Sequence, residues 1–145
     1  MVSSRAFKFK NLIIQIISGS TILLFVYTGL NKLEAIGDFE HVLNKSPILH
    51  RFSTFLAWVI PIVELCISLV LIFPKTRYIG FLSAFIIMLL FTLYVGYMIM
   101  FIPKLPCNCG GIMRALSWKQ HLVFNAVFTV LIFVALIAQK KKGFI

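Results

Sequence analysis

Cys107 and Cys109 lie one residue apart and are the side chains of this sequence best suited to chemistry. A bond between two such close cysteines cannot join distant parts of a fold, so the pair is a redox or metal candidate first. Disulfides prefer Cα separations of about 4.4–6.8 Å, which residues i and i+2 reach only in a bent segment. Pro106 before the pair and Gly110-Gly111 after it provide that bend. A strained, exposed disulfide is oxidising and easily exchanged.

Two basic residues near the pair, Lys104 and Arg114, would stabilise a thiolate. Together these features predict a thiol–disulfide exchange site with a redox-active disulfide. Two alternatives stay open. In the first, the two cysteines are unrelated loop residues. In the second, they are soft ligands for Cu(I), and the further donors are His121 and three methionines: Met98, Met100 and Met113. Structural zinc sites use wider C-x₂₋₄-C spacing, and we assign no metal ligand.

Glu64 is the one carboxylate inside an apolar run, about 15 Å from the start of that run. A charged carboxylate there costs roughly 2.5–3.5 kcal/mol, and such residues usually face the bundle interior and mark function. We expect Glu64 either to relay a proton to a quinone or to be a neutral carboxyl bonded to Asn125 or Tyr94. The inward stripe of the same helix is predicted to contain Trp58, Pro61 and Ser68.

Trp118, His121 and Asn125 are spaced i, i+3 and i+7, which places them on one face of a helix just after the cysteine segment. His121 has a pKa range suited to proton transfer during thiol exchange; the alternative is an interfacial histidine bonded to a neighbouring helix. We therefore assign Cys107, Cys109, Glu64 and His121 as candidate catalytic residues. The candidate contacts of a quinone cofactor are Trp118, Asn125 and Tyr94.

The elements that must position these residues are long apolar runs. The sequence has 145 residues, of which 61% are hydrophobic and 12% charged, far from the roughly 45–50% apolar usage of soluble domains. A spanning helix needs about 20 apolar residues, and four runs qualify: 11–30, 54–73, 78–101 and 118–138. The sequence predicts an all-α integral membrane protein, a four-helix bundle forming a single membrane domain over residues 1–145.

Residues 31–53 are polar, and Phe39, Val42 and Leu43 predict a short amphipathic helix on the membrane surface between helices 1 and 2. The first run is too long for a signal peptide and is expected to remain as a span. Small residues in that span predict close helix contact: Ser18, Gly19 and Ser20. Cys66, about 200° around its helix from Glu64, is expected to be a small apolar residue facing elsewhere.

The net charge of +10 does not indicate a nucleic-acid partner, because the basic residues flank the apolar runs instead of forming one patch. Eight basic residues lie at the termini and in the second loop, and six lie on the other side. The positive-inside rule therefore predicts cytoplasmic N- and C-termini in the inner membrane. The cysteine segment then faces the periplasm, where dithiols can be oxidised.

The motifs in order resemble the DoxX-like membrane proteins, and most closely the MauE branch, named for methylamine utilisation. The matching strings are Tyr27-Thr28-Gly29-Leu30-Asn31-Lys32-Leu33, Pro61-Ile62-Val63-Glu64-Leu65, Cys107-Asn108-Cys109-Gly110, and Ser117-Trp118 with Asn125. The resemblance implies a redox-associated membrane protein, linked in MauE to disulfide formation in a periplasmic dehydrogenase subunit.

These inferences predict a membrane thiol–disulfide oxidoreductase that exchanges electrons with a periplasmic thioredoxin-like or cysteine-containing protein, with a quinone as the electron carrier on the membrane side. A non-catalytic scaffold or maturation subunit for a periplasmic redox protein is the alternative, followed by a Cu(I)-handling protein. The sequence leaves the partner, the direction of electron flow and the oligomeric state open.

Overall fold

The computed structural model describes residues 2–101 and 117–140, and within these ranges it is helical with no strand. The helices are α1 (Val2–Glu34), α2 (Ile36–Asn44), α3 (Ser53–Ile72), α4 (Arg77–Phe101) and α5 (Trp118–Lys140). A short 3-10 turn, His50–Phe52, precedes α3. The predicted fold class is confirmed, since α1, α3, α4 and α5 are long and apolar enough to cross a membrane. That all 145 residues form one domain stays a prediction.

The first helix is longer than the predicted span 11–30, at both ends. Its 33 residues correspond to about 50 Å, against a hydrocarbon core of roughly 30 Å. The basic N-terminal residues and Asn31–Glu34 therefore continue the helix beyond the apolar run. This extension places Lys32 on α1 and not in a loop.

The four spanning helices form a ring in which α1 packs against α3 and α5, and α4 packs against the same two helices. Sequential neighbours are antiparallel, as shown for α4 and α5 by the ring contacts Phe85–Phe133 and Phe91–His121. The C-termini of α1 and α4 and the N-termini of α3 and α5 therefore lie at one end of the bundle. We call it the α2 end, because α2 packs there against α3.

The core between the four helices contains large apolar side chains, including Phe25, Leu71, Phe81 and Ile132, each no more than 1% exposed. Polar residues are also buried inside the bundle: Ser18, Thr21, Glu64, Ser68, His121, Asn125 and Thr129. Many large apolar side chains point outward instead, among them Leu23 and Leu93. Apolar groups outside and polar groups inside are the distribution expected for a bundle surrounded by lipid. The chain is thus a multi-pass membrane protein.

The amphipathic helix predicted after the first span is present as α2, but its apolar face is buried by protein. Phe39 and Leu43 pack against Ala57 of α3, and Thr54 donates a 2.6 Å hydrogen bond to Glu40 Oε1. These contacts hold α2 against α3 at the end of the bundle. The helix therefore contributes to the walls of the interior at that end.

Two local expectations about helix faces were only partly right. Of the three small residues predicted to lie at a helix contact, Ser18 is 3% exposed, but Gly19 and Ser20 are exposed, and a Cβ added at Gly19 would meet no atom within 4 Å. A close helix contact of α1 lies at Gly29, where an added Cβ would be 3.3 Å from the Pro61 carbonyl oxygen. Trp58 is exposed and does not share the buried stripe of Pro61, Glu64 and Ser68, because a 100° turn per residue moves it off that face over six residues.

Candidate functional site

A buried ion pair joins α1 and α3 near the α2 end. Lys32 Nζ donates a hydrogen bond of 2.6 Å to Glu64 Oε1, and the two side chains are only 12% and 8% exposed. From the sequence, a structural role for Glu64 implied a bond to Asn125 or Tyr94. The partner is Lys32 instead, because α1 extends far enough to bring the ammonium group into the bundle.

Close backbone packing allows this pair to form. Gly29 lies against Pro61 and Leu65, where a Cβ would be only 3.2 Å from Leu65 Cγ. Side chains on a helix tilt toward its N-terminus, so on these antiparallel helices Lys32 tilts inward and Glu64 tilts toward the α2 end. The Cα atoms of Lys32 and Glu64 lie at levels about one helical turn apart along the bundle axis. Because the two side chains tilt toward each other, their charged groups meet between these levels.

The ammonium group of Lys32 also lies over two aromatic rings. Its Nζ is 5.5 Å from the centroid of Phe39 on α2 and 5.3 Å from that of Phe91 on α4. Cations within about 6 Å of a ring centroid are attracted to the ring face, and more strongly where water is excluded. Four elements thus hold the charge: α1 carries it, α3 supplies the counter-charge, and α2 and α4 supply rings.

On α5, His121 contacts the same phenylalanine, Phe91. The His121 ring centroid is 5.8 Å from that of Phe91 and 6.4 Å from that of Trp118. His121 and Asn125 are buried, while Trp118 is half-buried. The helical face predicted from their spacing is therefore directed into the bundle at His121 and Asn125, with Trp118 at its rim.

Several polar atoms around this cluster are buried without a hydrogen-bond partner among the residues that the structure describes. They are Glu64 Oε2, both ring nitrogens of His121 and Asn125 Nδ2. A buried polar group normally has a partner, because leaving it unpaired costs about 1–3 kcal/mol. Such a concentration of unpaired groups at one end of the bundle marks a place for water or a ligand.

The start of α5 is fixed by a capping box. The Ser117 N–H donates to Gln120 Oε1 at 3.0 Å, and the Gln120 N–H donates to Ser117 Oγ at 3.3 Å. This reciprocal pair satisfies donors that the first turn of a helix leaves open. It sets where α5 begins and so the depth of His121 in the bundle.

A cavity of about 380 Å³ lies between α3 and α4, below the segment that follows α2. Its polar lining residues are Glu64 and Tyr94, and Phe91 forms part of the same wall. The remaining lining residues are aliphatic: Leu43, Leu49, Leu56, Val59, Ile60, Val63, Ile87 and Leu90. The predicted residues Glu64 and Tyr94 are therefore brought together at one cavity, although no bond between them is described.

The structure places the remaining predicted residues separately. Cys107 and Cys109 lie outside the described residues. Cys66 is a free, exposed cysteine on the outer face of α3, as its spacing from Glu64 predicted. Within residues 2–101 and 117–140 no three potential ligands of the types His, Cys, Asp and Glu come together. Met98 is fully buried and Met100 is 77% exposed, so these two donors of the Cu(I) alternative point in different directions.

Lys32, Phe39 and Phe91 were not predicted as site residues. The sequence pattern could have indicated Lys32 as the partner of Glu64. A charged carboxylate inside an apolar run is stabilised by a nearby counter-charge, and Lys32 is the cation directly after the first apolar run. The aromatic residues carried no such signal, because 15 phenylalanines are spread along the chain. Only the packing of α2 and α4 selects Phe39 and Phe91 from them.

Comparison with known proteins gives one family. The model of the family described as "Methylamine utilisation protein MauE" matches residues 10–138. No curated protein matches this chain, and no solved structure does. The matched range includes the ion pair, the cavity and the segment with the two neighbouring cysteines.

Proposed function

Since the chain belongs to the MauE family, we propose that it is a membrane thiol–disulfide redox protein whose Cys107 and Cys109 exchange electrons with a cysteine-containing partner. The partner is a thioredoxin-like or other dithiol protein of the periplasm. The protein lies in the inner membrane with both termini in the cytoplasm. The wider DoxX-like relationship of its motifs is part of the same proposal.

The observation that carries this proposal is the position of the buried polar cluster. The cluster lies at the α2 end, where α4 ends at Phe101 and α5 begins at Trp118. Cys107 and Cys109 fall between these two residues in the sequence. His121 and the buried Lys32–Glu64 pair thus lie in the half of the bundle to which the cysteine segment is attached.

The exchange is balanced in electrons and protons. One thiolate of the partner attacks the Cys107–Cys109 disulfide and forms a mixed disulfide, releasing one of the two cysteines as a thiolate. The second thiol of the partner then resolves the mixed disulfide. The partner gains a disulfide, and Cys107 and Cys109 become two thiols after taking up the two protons that the partner released. His121, with two buried ring nitrogens lacking described partners, is proposed to relay these protons.

Re-oxidation of the two thiols requires an acceptor of two electrons and two protons. A membrane quinone supplies this chemistry when bound, becoming a hydroquinone. The α3–α4 cavity fits the ring of such a group in size and in the character of its walls, because the walls are apolar and the volume lies in the roughly 300–1,000 Å³ range of small-molecule sites. Glu64 and Tyr94 would contact it there; Trp118 and Asn125, on the α5 side, do not line this cavity.

Trapping of the mixed disulfide tests the proposal. Thiol–disulfide exchange is reversible, so in Cys107→Ser or Cys109→Ser the remaining thiolate can attack the disulfide of the oxidised partner and release one partner thiolate. The second cysteine of this chain, which would resolve that mixed disulfide, is missing, so the variant that keeps the attacking cysteine should accumulate a covalent, reducible complex with a periplasmic thiol protein. The complex should be visible on a non-reducing gel and absent from the double variant. Cys66→Ser is the matched control and should behave as the parent, since Cys66 is on the outer face of α3.

The alternatives predict other results. A non-catalytic scaffold retains its partner and its activity in both single variants and forms no adduct. A Cu(I) site loses bound copper in each single variant and forms no adduct. Full activity of both single variants without a trapped species contradicts the exchange mechanism.

A further inference from the structure

We propose that a groove between α1 and α5, at the end of the bundle opposite α2, binds an anionic phospholipid. An acyl chain lies in the groove, and the phosphate group lies at Lys10. The inference does not depend on the proposed thiol chemistry, because the cysteine segment is attached to the other end of the bundle. It assigns a ligand to the place where the first and last helices of the ring meet.

The α1–α5 groove has a volume of about 550 Å³ and a buried floor. Ile14 of α1 and Ala135 of α5 form this floor and are 2% and 1% exposed. The other apolar lining residues form the sides: Ala6, Phe9, Ile13, Val134, Ile137 and Ala138. Because Phe9 is 66% exposed and Val134 is 48% exposed, the groove opens onto the outer surface of the bundle. A hydrocarbon chain can therefore enter it directly from the surrounding lipid.

The groove crosses the level at which the apolar runs end. The first run begins at about residue 11 and the fourth ends at about residue 138, and the α1 lining extends from Ala6 to Ile14. These nine positions correspond to about 12 Å along the helix axis. The inner part of the groove therefore lies in the hydrocarbon region and its outer part at the headgroup level. A phospholipid has its apolar and polar parts in the same order.

Lys10 is the charged residue of this lining. It is half-buried, so part of its side chain packs on the protein and part is accessible. Side chains on a helix tilt toward its N-terminus, which directs the Lys10 ammonium group toward the headgroup level. Long basic side chains keep their apolar stems on apolar surface and their charge at the polar boundary. Lys10 thus offers three N–H donors to a phosphate at the outer part of the groove.

The charges of this end of the bundle favour an anionic headgroup over a zwitterionic one. Its described basic residues are Arg5, Lys8, Lys10, Lys75, Arg77 and Lys140. The four acidic side chains of the sequence lie in the other half of the bundle, on α1, α2 and α3: Glu34, Asp38, Glu40 and Glu64. No carboxylate side chain therefore competes for Lys10. Basic pockets between spanning helices are binding sites for anionic lipid headgroups.

Lipid titration of the full-length protein in a neutral detergent tests the site, with bound species counted by native mass spectrometry. The probes are dioctanoyl phosphatidylglycerol, dioctanoyl phosphatidylcholine, and glycerophosphoglycerol, which is the anionic headgroup without chains. The parent should bind phosphatidylglycerol at least about fivefold more tightly than phosphatidylcholine. The headgroup without chains should bind at least about tenfold more weakly, since it leaves the groove empty. Equal affinity for the two lipids, or for the headgroup with and without chains, overturns the proposal.

Two matched lysine variants test the phosphate contact. Lys10→Gln removes the charge from the groove, while Lys8→Gln removes the same charge from an exposed position of the same helix that does not line the groove. The two residues are about 200° apart around α1. The preference for phosphatidylglycerol should fall about fivefold in Lys10→Gln and stay within about twofold of the parent value in Lys8→Gln. Equal losses in the two variants would show general charge attraction and refute the contact.

Two matched tryptophan variants test the groove. Ile13→Trp places a large ring in it, while Ile16→Trp adds the same ring about one turn further along α1, where the residue is 58% exposed and does not line the groove. Phosphatidylglycerol binding should weaken about tenfold or more in Ile13→Trp and stay unchanged in Ile16→Trp. Thermal unfolding in the same detergent shows that each variant is folded, and the lipid should raise the Tm of the parent and of Ile16→Trp alone. Equal binding by both variants excludes this groove.

Discussion

At the scale of single residues, the pairing of Lys32 with Glu64 governs the site. Each charge alone would be costly inside a bundle surrounded by lipid, by roughly 2.5–3.5 kcal/mol even on the mildest scale. The 2.6 Å contact and the rings of Phe39 and Phe91 offset part of this cost. The stability of the α1–α3 contact therefore depends on both side chains.

Replacing only Lys32 or only Glu64 should lower the free energy of unfolding more than expected from the effect of replacing both. Lys32→Met leaves the Glu64 carboxylate without its counter-charge, and we expect it to lower the free energy of unfolding by about 3 kcal/mol. Glu64→Gln leaves the ammonium unpaired and should act in the same direction. The double variant Lys32→Met/Glu64→Gln should lose less than the sum of the two single losses, because no unpaired charge remains. Denaturant unfolding in detergent micelles measures each value.

The control for this cycle is Lys8→Met, which removes a lysine that is exposed on the same helix. Its effect should stay within about 0.5 kcal/mol. Additive losses in the double variant would contradict a coupled pair at this site.

At the scale of elements, the approach of α1 to α3 determines whether the pair can form. Gly29 lets the two helices approach closely at Pro61 and Leu65. Lys32 follows Gly29 by about one turn on α1, and Glu64 follows Pro61 by about one turn on α3. Small residues permit such close contact in membrane bundles. Pro61 lies inside α3 and has no N–H to donate, so it frees the Ala57 carbonyl from its helical bond. The α1–α3 contact is thus as much a part of the site as its charged residues.

Gly29→Val should separate the two helices. Its Cβ would lie 3.2 Å from Leu65 Cγ and 3.3 Å from the Pro61 oxygen, and relief of this contact by backbone movement costs about 1–3 kcal/mol. The matched control is Gly19→Val on the same helix, where nothing lies within 4 Å of an added Cβ. Thermal unfolding in detergent should show a loss for Gly29→Val and almost none for Gly19→Val. Equal effects would mean that the α1–α3 contact does not depend on the glycine.

At the scale of the whole molecule, the α2 end is where the ion pair, the cavity and the entry to α5 lie together. The structure also changes the charge count that orients the chain. Lys32 is inside the bundle, so five basic residues instead of six remain for the side that carries α2, against eight on the other side. The bias toward cytoplasmic termini becomes larger by the positive-inside rule. We therefore expect the α2 end to be the periplasmic end.

Thiol labelling tests this orientation. In a Cys66→Ser background, a membrane-impermeant maleimide added to reduced, intact spheroplasts should label Cys107 or Cys109 without lysis. In a background with all three cysteines replaced by serine, Ser4→Cys places a thiol at an exposed position near the start of α1. That thiol should react only after lysis. The reverse pattern would invert the topology and remove the periplasmic partner from the proposal.

What the sequence determined by itself was the membrane architecture and the identity of most polar candidates. Four long apolar runs require helices in lipid, where backbone groups must be bonded within each segment, so spans and fold class follow from composition alone. The spacing of His121 and Asn125 likewise placed them on one inward face. Glu64 was identified because a carboxylate is exceptional in such surroundings. These inferences need only local patterns.

Tertiary structure alone decided which of these residues meet. The extension of α1 to Glu34 turned Lys32 from a loop charge into the partner of Glu64, and the folding of α2 onto α3 brought Phe39 to it. The cavity between α3 and α4 depends on side chains from several segments that are distant in the sequence. Helical periodicity gives the direction in which a side chain points, but the partner it reaches depends on the register and distance of the neighbouring helices, which only packing determines.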